Sequence, residues 1–409
     1  MQTFLDQYVD QHFATQTKLL QELVRIPTDT PPGNNAPHAE ITAKLLEAMG
    51  YKVERHAVPD AEVKAYGMQS VTNLIVRHEF SKEGPTIALN AHGDEVPPGE
   101  GWTTNPYGGE IKDGKLYGRA AAASKSDFAT YITALNALRE LHKTQQLKGA
   151  VELQFTYDEE FGGELGPGWL LEKGITKPDF VIAAGFSYAV ITAHNGALHL
   201  EITVHGRGAH VAEQSSGVDA LRAAHGIMSV LYQLSDTLAQ TQSKIEGIGT
   251  PKLNIGTIAG GTNTNVVPDK AVLKIDRRMI PEEDPIEIEA HLRKLIERAG
   301  AQFPDVTINI KRLLLARAFT PIPGQEKLAD VFCKEATRVF GEPIPAKGTG
   351  LYTDARLFAE AGIPAILYGA GPRTILEANA KRADENVSLE DLRRATKVVA
   401  NAVGQLLLK

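Results

Sequence analysis

Imidazole and carboxylate side chains follow two apolar runs of this chain, and together they could bind a metal ion and move protons. His92 and Asp94 come directly after the run 86–91, and residues 158–160, all acidic, end the run 150–157. Imidazole is the commonest protein ligand for metals, and a carboxylate two residues on can hold its second ring nitrogen. A neighbouring carboxylate could act as general base toward a metal-held water. Taken singly, a histidine at a strand end is more often structural, and a solvated loop explains the acidic cluster as well as a site does.

Two further clusters combine glycines with cationic and amide side chains. They occupy residues 206–210 and 260–268, and the second is followed by the Asp-Arg-Arg segment 276–278. Glycine allows close backbone approach, and arginine is suited to bidentate binding of a carboxylate. Both segments are also compatible with hairpin turns that carry surface charges.

The elements that must position these clusters alternate between helix and strand in the first and last parts of the chain. Helical patterns cover residues 2–25, 37–49, 124–142, 325–340 and 388–407, and strand-like apolar runs cover residues 71–76, 86–91, 150–157 and 365–368. This alternation predicts an α/β fold with a mostly parallel sheet. Active groups in such sheets collect at the carboxyl ends of the strands, which is where the first two clusters stand.

The middle of the chain has a different pattern. Strand patterns at residues 198–204, 252–258, 270–277 and 306–314 flank helices at 217–238 and 283–299. This order is typical of an antiparallel α+β domain. We therefore predict a catalytic α/β domain formed by residues 1–195 and 315–409, with an inserted lid or dimerisation domain at 196–314.

Composition limits the function. The 43 Lys and Arg against 50 Asp and Glu give a formal charge of −7, so a nucleic-acid partner is not expected. Cys333, the single cysteine, precludes an intrachain disulfide and a cysteine-based zinc site, and is expected to be a buried helix thiol. No basic-then-apolar leader and no bilayer-length apolar run occur, so a cytoplasmic protein without membrane partners is expected.

Several short motifs occur in a recognisable order along almost the whole chain. They are His92-Gly93-Asp94, Asp113-Gly114-Lys115-Leu116-Tyr117-Gly118-Arg119, Asp158-Glu159-Glu160, Ala193-His194-Asn195-Gly196, the segment 206–210, Asn265-Val266-Val267-Pro268, Asp276 with Arg278, Thr353-Asp354-Ala355-Arg356 and Gly362-Ile363-Pro364. In this order they resemble the dinuclear zinc exopeptidase and deacylase family. That family includes carboxypeptidase G, succinyl-diaminopimelate desuccinylase, acetylornithine deacetylase and aminoacylase.

The resemblance implies a role for each matched position of the first domain. His92 corresponds to a ligand of one zinc ion, and Asp94 to the acid that orients this histidine. Glu159 corresponds to the general base, and Glu160 to a ligand of the second zinc ion. The implied reaction is hydrolysis of an amide in a small substrate that bears a carboxylate.

The resemblance also implies roles for the inserted domain. His210 corresponds to a residue that stabilises the oxyanion, usually in the site of the partner subunit, so a homodimer is expected. Arg278, with Asn263 and Asn265, corresponds to the pocket for the substrate carboxylate.

Three further metal ligands implied by the family are absent. Ala123 occupies the position of the bridging aspartate, Gly185 that of an acidic ligand, and Lys381 that of the last histidine. The expected cofactor is therefore zinc or another divalent metal, as one ion or none. Lys381 could supply part of the missing positive charge, because uncompensated carboxylates in one pocket are costly.

Alternatives remain open for both the site and the function. His92 and Glu160, with either Asp94 or Asp127 as the third ligand, could bind a single ion. Asp127 could instead simply be a first-turn helix acid. Ser124 beside Lys125 could be a nucleophile with its base, although an N-cap is the simpler interpretation. Besides amide hydrolysis, a changed chemistry such as elimination and a non-catalytic small-molecule binding protein both fit the sequence.

Overall fold

The computed structural model describes residues 1–408, which divide into two compact units. The first unit comprises Met1–Thr192, Pro321–Lys347 and Thr353–Lys409, and the second comprises Ala193–Thr320 with Gly348–Tyr352. The second unit is thus an insertion in the sequence of the first. Between residues 1 and 408 no helix is long and apolar enough to cross a membrane.

Helices and strands alternate through the first unit and its insertion. The α-helices are α1 (Gln2–Val24), α2 (Ala36–Ala48), α3 (Asp60–Ala65), α4 (Lys125–His142), α5 (Pro167–Glu172), α6 (Ala220–Leu238), α7 (Pro285–Gly300), α8 (Gln325–Phe340), α9 (Ala355–Glu360) and α10 (Leu389–Leu408). The strands are β1 (Val53–Ala57), β2 (Thr72–Glu79), β3 (Thr86–His92), β4 (Glu110–Lys112), β5 (Lys115–Tyr117), β6 (Ala150–Thr156), β7 (Phe180–Ala183), β8 (Val190–His194), β9 (Gly196–His205), β10 (Ala209–His210), β11 (Lys252–Gly260), β12 (Val266–Val267), β13 (Lys270–Met279), β14 (Thr307–Ala316), β15 (Ala346–Thr349), β16 (Ala365–Leu367) and β17 (Asn386–Ser388).

The first unit is built on an eight-stranded sheet in the order β1-β2-β6-β3-β7-β16-β8-β15. Its central strands β6, β3, β7 and β16 are parallel, whereas β1, β2 and β8 pair antiparallel with their neighbours. The parallel strands are almost wholly buried, as strands covered on both faces must be. Helices α1, α4, α8 and α10 pack together over this core.

The second unit contains a four-stranded antiparallel sheet in the order β11-β13-β9-β14. Along β9, Leu198, Leu200 and Ile202 are buried and alternate with more exposed residues. Such alternation lets one face of a sheet pack on helices while the other faces water. Helices α6 and α7 cover the apolar face and share its hydrophobic core.

The predicted fold class, an α/β unit with a parallel core and an inserted α+β unit, is confirmed. Short elements such as α3, α5 and β4 were not predicted, because fewer than seven residues carry little periodic signal. The segment Gly348–Tyr352 packs with the second unit, although the sequence interpretation assigned it to the first. Cys333 lies on α8 as expected, but it is only partly buried.

Candidate active site

The adjacent parallel strands β3 and β6 bring the two acidic clusters to one edge of the sheet. Their register places His92, the last residue of β3, opposite Thr156, the last residue of β6. The N–H of Gly93 donates to the carbonyl of Thr156 at 2.8 Å, which continues this pairing beyond the strands. The chain after β6 then forms a short 3-10 turn, Glu159–Phe161. The turn therefore presents its acids beside His92.

Asp94 is the centre of this arrangement. Its carboxylate, with no exposed surface, accepts the backbone N–H groups of Glu159 at 3.2 Å and Glu160 at 2.9 Å. The Nδ1 atom of His92 lies 3.5 Å from Asp94 Oδ1 and 3.0 Å from the Asp94 carbonyl oxygen. Asp94 thus holds the imidazole and the acidic turn in a fixed relation.

Glu159 and His92 face each other in a nearly buried space. Glu159 Oε2 lies 3.9 Å from His92 Nε2, and both side chains are mostly shielded from water. Burial raises the pKa of Glu159 to about 7, although the charge of His92 opposes the rise. Desolvation lowers the pKa of His92, but the carboxylates of Glu159 and Asp94 outweigh it and raise that pKa well above 6.5. The imidazole therefore carries a positive charge near neutral pH.

Lys381 contacts the second glutamate of the turn. Its Nζ lies 2.6 Å from Oε1 and 2.7 Å from Oε2 of Glu160. The lysine side chain is 49% exposed, whereas that of Glu160 is 8% exposed, so the ammonium reaches inward from the surface. Burial opposes its charge, but Glu160 and Glu159 raise the pKa of Lys381 above its ordinary value. The two groups form an ion pair.

The loop that carries Lys381 is anchored by a buried glutamate. Glu385 accepts the backbone N–H of Lys381 at 3.3 Å and that of Ala122 at 3.1 Å. Arg119 Nη1 donates to the same carboxylate at 2.6 Å, and both side chains are at most 2% exposed. This buried pair ties the Lys381 loop to the segment that precedes α4.

The residues present do not fit the metal centre that the family resemblance implies. A side chain at position 185 would place its Cβ 2.8 Å from backbone atoms of Leu367 and Tyr368, so the backbone leaves no room for an acidic ligand there. Ala123 offers no donor, and the ammonium of Lys381 occupies the carboxylate of Glu160. Within residues 1–408, no three His, Cys, Asp or Glu side chains are grouped so that they could hold a metal ion.

Asp127 is not placed to complete a ligand set. Its Oδ1 accepts the backbone N–H of Ala370 at 2.7 Å, and its carboxylate also accepts from Gly185. A Cβ at Gly369 would lie 1.9 Å from the same oxygen, so the carboxylate fills the space against this glycine. Burial raises the pKa of Asp127 to about 7. Asp127 therefore binds backbone N–H groups of two loops, whereas the sequence analysis considered it as a metal ligand or a first-turn helix acid.

The Ser124 and Lys125 side chains have separate partners. Ser124 Oγ donates to the carbonyl of His92 at 2.8 Å and accepts its N–H at 3.1 Å. Lys125 Nζ donates to the carbonyl of Ile26 at 2.8 Å, and burial lowers the pKa of its amine to about 7. Ser124 precedes α4 as the N-cap residue, although its side chain makes no capping bond. The structure does not bring the two together as nucleophile and base.

Two buried acids near this site were not singled out by sequence reasoning. Burial and nearby carboxylates raise the pKa of Asp158 and of Asp354 well above the ordinary range. Asp158 accepts the N–H of Leu165 at 2.5 Å, and Asp354 lies against Gly163, where a Cβ would be 2.1 Å from its Oδ1. In the sequence, Asp158 was one of the acids in the cluster 158–160, and Asp354 was part of a family motif, but neither was given a role of its own.

The four remaining predicted residues belong to the second unit. His210 lies on β10, which pairs with β12, and its Nδ1 accepts the N–H of Ala212 at 3.1 Å. The carbonyl of Asn265 accepts the N–H of Val211 at 3.0 Å, so Asn265 lies next to the His210 segment. Asn263 Oδ1 accepts the N–H of the following residue at 2.7 Å and shapes an exposed turn.

Arg278 stands apart from that turn, on β13. Its Nε donates to both carboxylate oxygens of Asp276, at 3.0 and 2.9 Å, and its guanidinium lies 5.2 Å from the ring centre of Tyr352. Desolvation opposes the charge of Asp276, but His199 and Arg278 prevail and lower its pKa. Arg278 is therefore held in place by an acid on its own strand.

Comparison with known proteins identifies the family. The sequence model of peptidase family M20/M25/M40 matches residues 88–405. The chain is 27% identical over 399 residues to succinyl-diaminopimelate desuccinylase from Rhodospirillum centenum, covering 93% of this chain and 94% of that protein. It is 28% identical over 388 residues to acetylornithine deacetylase from Myxococcus xanthus, covering 94% and 95%.

Solved structures support the same fold. The dipeptidase Dug1p from Saccharomyces cerevisiae matches with a TM-score of 0.83 at 14% identity, covering 100% of this chain and 99% of that one. The metallo-carboxypeptidase Sso-CP2 from Sulfolobus solfataricus matches with a TM-score of 0.78 at 18% identity, covering 96% and 99%. The resemblance read from the motifs is thereby confirmed: this chain belongs to peptidase family M20/M25/M40 and is a hydrolase of the amidohydrolase and exopeptidase type.

Proposed function

We propose that this hydrolase cleaves an amide bond in an N-acyl amino acid or a small peptide that bears a free carboxylate, with Glu159 as general base. The observation that carries the proposal is the shielded Glu159 carboxylate, 3.9 Å from the His92 imidazole and with a pKa of about 7. A base with a pKa near the operating pH combines the correct protonation state with useful basicity. The names of the similar curated proteins, a desuccinylase and a deacetylase, support removal of an acyl group.

In this proposal Glu159 handles the proton throughout the reaction. Its carboxylate takes a proton from water while the water oxygen attacks the amide carbonyl carbon. The carbon–nitrogen bond then breaks, and Glu159 returns the proton to the departing nitrogen. The positive charge of His92 favours the ionised form of Glu159, and Asp94 fixes both partners through the bonds described above. General base catalysis of this kind contributes about 10²–10⁴-fold to a rate.

Binding of the substrate carboxylate is proposed for Arg278, together with Asn263 and Asn265. Because Nε of Arg278 donates to Asp276, its two terminal nitrogens are the part of the guanidinium suited to a bidentate contact. His210 is proposed to stabilise the oxyanion, and Lys381 to contribute positive charge to the acidic site.

The same proposal includes a depleted metal site, with one divalent ion or none. Two features of the residues at the site support a depleted metal site. Position 185 has no room for a ligand side chain, and the carboxylate of Glu160 is paired with Lys381. Catalytic zinc ordinarily has three protein ligands. Metal analysis of protein purified without chelator tests this part, and two tightly held zinc ions per chain would contradict it.

Activity is tested with a panel of acyl-amino acids and dipeptides, with and without added zinc, manganese or cobalt. The wild-type chain is expected to turn over at least one substrate, and Glu159→Gln to reduce kcat by about 10²–10⁴-fold with little change in KM. A ligand that binds both proteins equally, with no turnover by either, would instead identify a non-catalytic binding protein.

A homodimer formed through the second unit is also proposed. Strand β11 is an edge strand, which leaves unpaired backbone groups, and Tyr232 on α6 and Ile258 on β11 are each 50% exposed. Exposed apolar groups beside an open sheet edge favour association. Light scattering after size exclusion should give twice the chain mass, and Ile258→Lys should shift it toward the monomer.

A further inference from the structure

We propose that the Lys381 ammonium is the resident cation of this acidic site, and that it excludes a divalent metal by occupying both oxygens of Glu160. This inference rests on the proposed function for the identity of the site. It deepens that function by naming the group that occupies the place where a metal would be needed. Its basis is the two-oxygen contact, at 2.6 and 2.7 Å, with a carboxylate that is 8% exposed. A metal ion that bound both oxygens from the same side would therefore have to displace the ammonium.

The charges around the contact explain why a cation is needed. Asp94, Glu95, Glu159 and Glu160 bring four carboxyl groups into one shielded region. His92 supplies a single positive charge, near Glu159 rather than near Glu160. Unpaired buried carboxylates are strongly disfavoured. Without Lys381, the cluster would therefore have to take up protons or bind an external cation.

The backbone supports a dedicated position for this lysine. Lys381 has a φ of +61°, in the left-handed region that is strained for a non-glycine residue. It is maintained because Glu385, itself paired with Arg119, accepts the Lys381 N–H. The loop thus holds a strained backbone whose side chain ends on Glu160.

The test replaces the ammonium by a metal ligand of matching reach. A histidine at position 381 is shorter than lysine by roughly one zinc–nitrogen bond, about 2.0 Å, so a zinc ion could lie near the present Nζ position. Zinc binding by the full chain is measured by equilibrium dialysis and elemental analysis after removal of metal with chelator. The proteins are wild type, Lys381→His, Lys381→Arg and the double variant Lys381→His with Glu160→Gln.

The expected result is about one zinc ion per chain in Lys381→His, at a concentration where wild type and Lys381→Arg stay at background. Adding Glu160→Gln should abolish the gain, which separates this site from adventitious surface histidines. Zinc should also raise the Tm of Lys381→His but not that of wild type. If Lys381→His does not fold, Lys381→Glu takes its place, because a carboxylate is also a zinc ligand, and should bind zinc at least tenfold more tightly than wild type.

The inference is overturned if wild type binds a stoichiometric zinc ion that Glu160→Gln removes. It is also overturned if the folded replacement variants show no gain. Because no substrate enters these measurements, they are independent of the amide hydrolysis assay. An inactive wild type without metal affinity would contradict the proposed function alone, and an active zinc-loaded wild type would contradict this inference alone.

Discussion

Replacing Asp127 by asparagine should remove a pH-dependent penalty on folding. The Asp127 side chain is 1% exposed, and its carboxylate accepts the N–H groups of Ala370 and Gly185. Burial raises its pKa from 3.8 to about 7. Asparagine keeps the shape and one acceptor oxygen but cannot ionise, so Asp127→Asn isolates the cost of ionising this buried group.

The sign of the effect follows from proton binding. Below about pH 4, Asp127 is protonated in both the folded and the unfolded chain and contributes nothing. Between about pH 4 and pH 7 the unfolded chain has released the proton while the folded chain keeps it, so stability falls as pH rises. Above about pH 7 the full penalty, on the order of 4 kcal/mol, is present. About 3 kcal/mol of it develops between about pH 5 and pH 8.

Urea unfolding of wild type and Asp127→Asn at several pH values measures this effect. Asparagine loses the hydrogen bond from the backbone of Gly185, and this loss destabilises the variant by the same amount at every pH. It therefore cancels when the difference in the free energy of unfolding between the two proteins is compared across pH. Between about pH 5 and pH 8, we expect the free energy of unfolding of Asp127→Asn to increase by about 3 kcal/mol relative to that of wild type. A difference that stays constant within about 0.5 kcal/mol, close to the scatter usual for additive effects, would refute the buried, loop-binding assignment.

Two further predictions concern Glu159 and Arg119. Since Glu159 must be ionised to act as base and burial raises its pKa to about 7, kcat/KM should rise about tenfold per pH unit below that value and level off above it. A flat profile through this range would exclude Glu159 as the base. Arg119→Met leaves Glu385 buried without its partner and should lower the free energy of unfolding by about 3–5 kcal/mol, as measured in urea. Arg55→Met, which breaks exposed pairs with Glu40 and Glu47, is the control and should change the free energy of unfolding by about 1 kcal/mol or less. Equal effects of the two substitutions would contradict the reasoning.

Much of the fold could be predicted because the long elements have strong periodic patterns. The helix predicted at 325–340 is α8 over the same residues, and the run 86–91 became β3 with one residue added. In the second unit, alternation along 198–204 predicted the half-exposed strand β9. By contrast, β17 and β5 pair only because distant segments meet, and three-residue strands have no pattern of their own.

The site could be predicted in part. The ends of β3 and β6 identified His92 and Glu159, because parallel strands deliver their carboxyl ends to one edge. Sequence reasoning also singled out Lys381 as a possible source of charge, but could not tell which acid it meets. The positions of Asp127 and Asp354 could not be anticipated, since Ala370 and Gly163, which they respectively contact, lie more than 180 residues away in the chain.

The sequence by itself determined the family, the α/β class and the absence of ligand side chains at positions 123 and 185, because each depends on residue type and local order. Only the tertiary structure decided which groups lie at the positions of the missing metal ligands. It closes the backbone around Gly185, turns Asp127 toward Ala370, and directs Lys381 to Glu160. These outcomes depend on distances between segments far apart in the chain, and such distances are set by packing of the whole unit rather than by any local pattern.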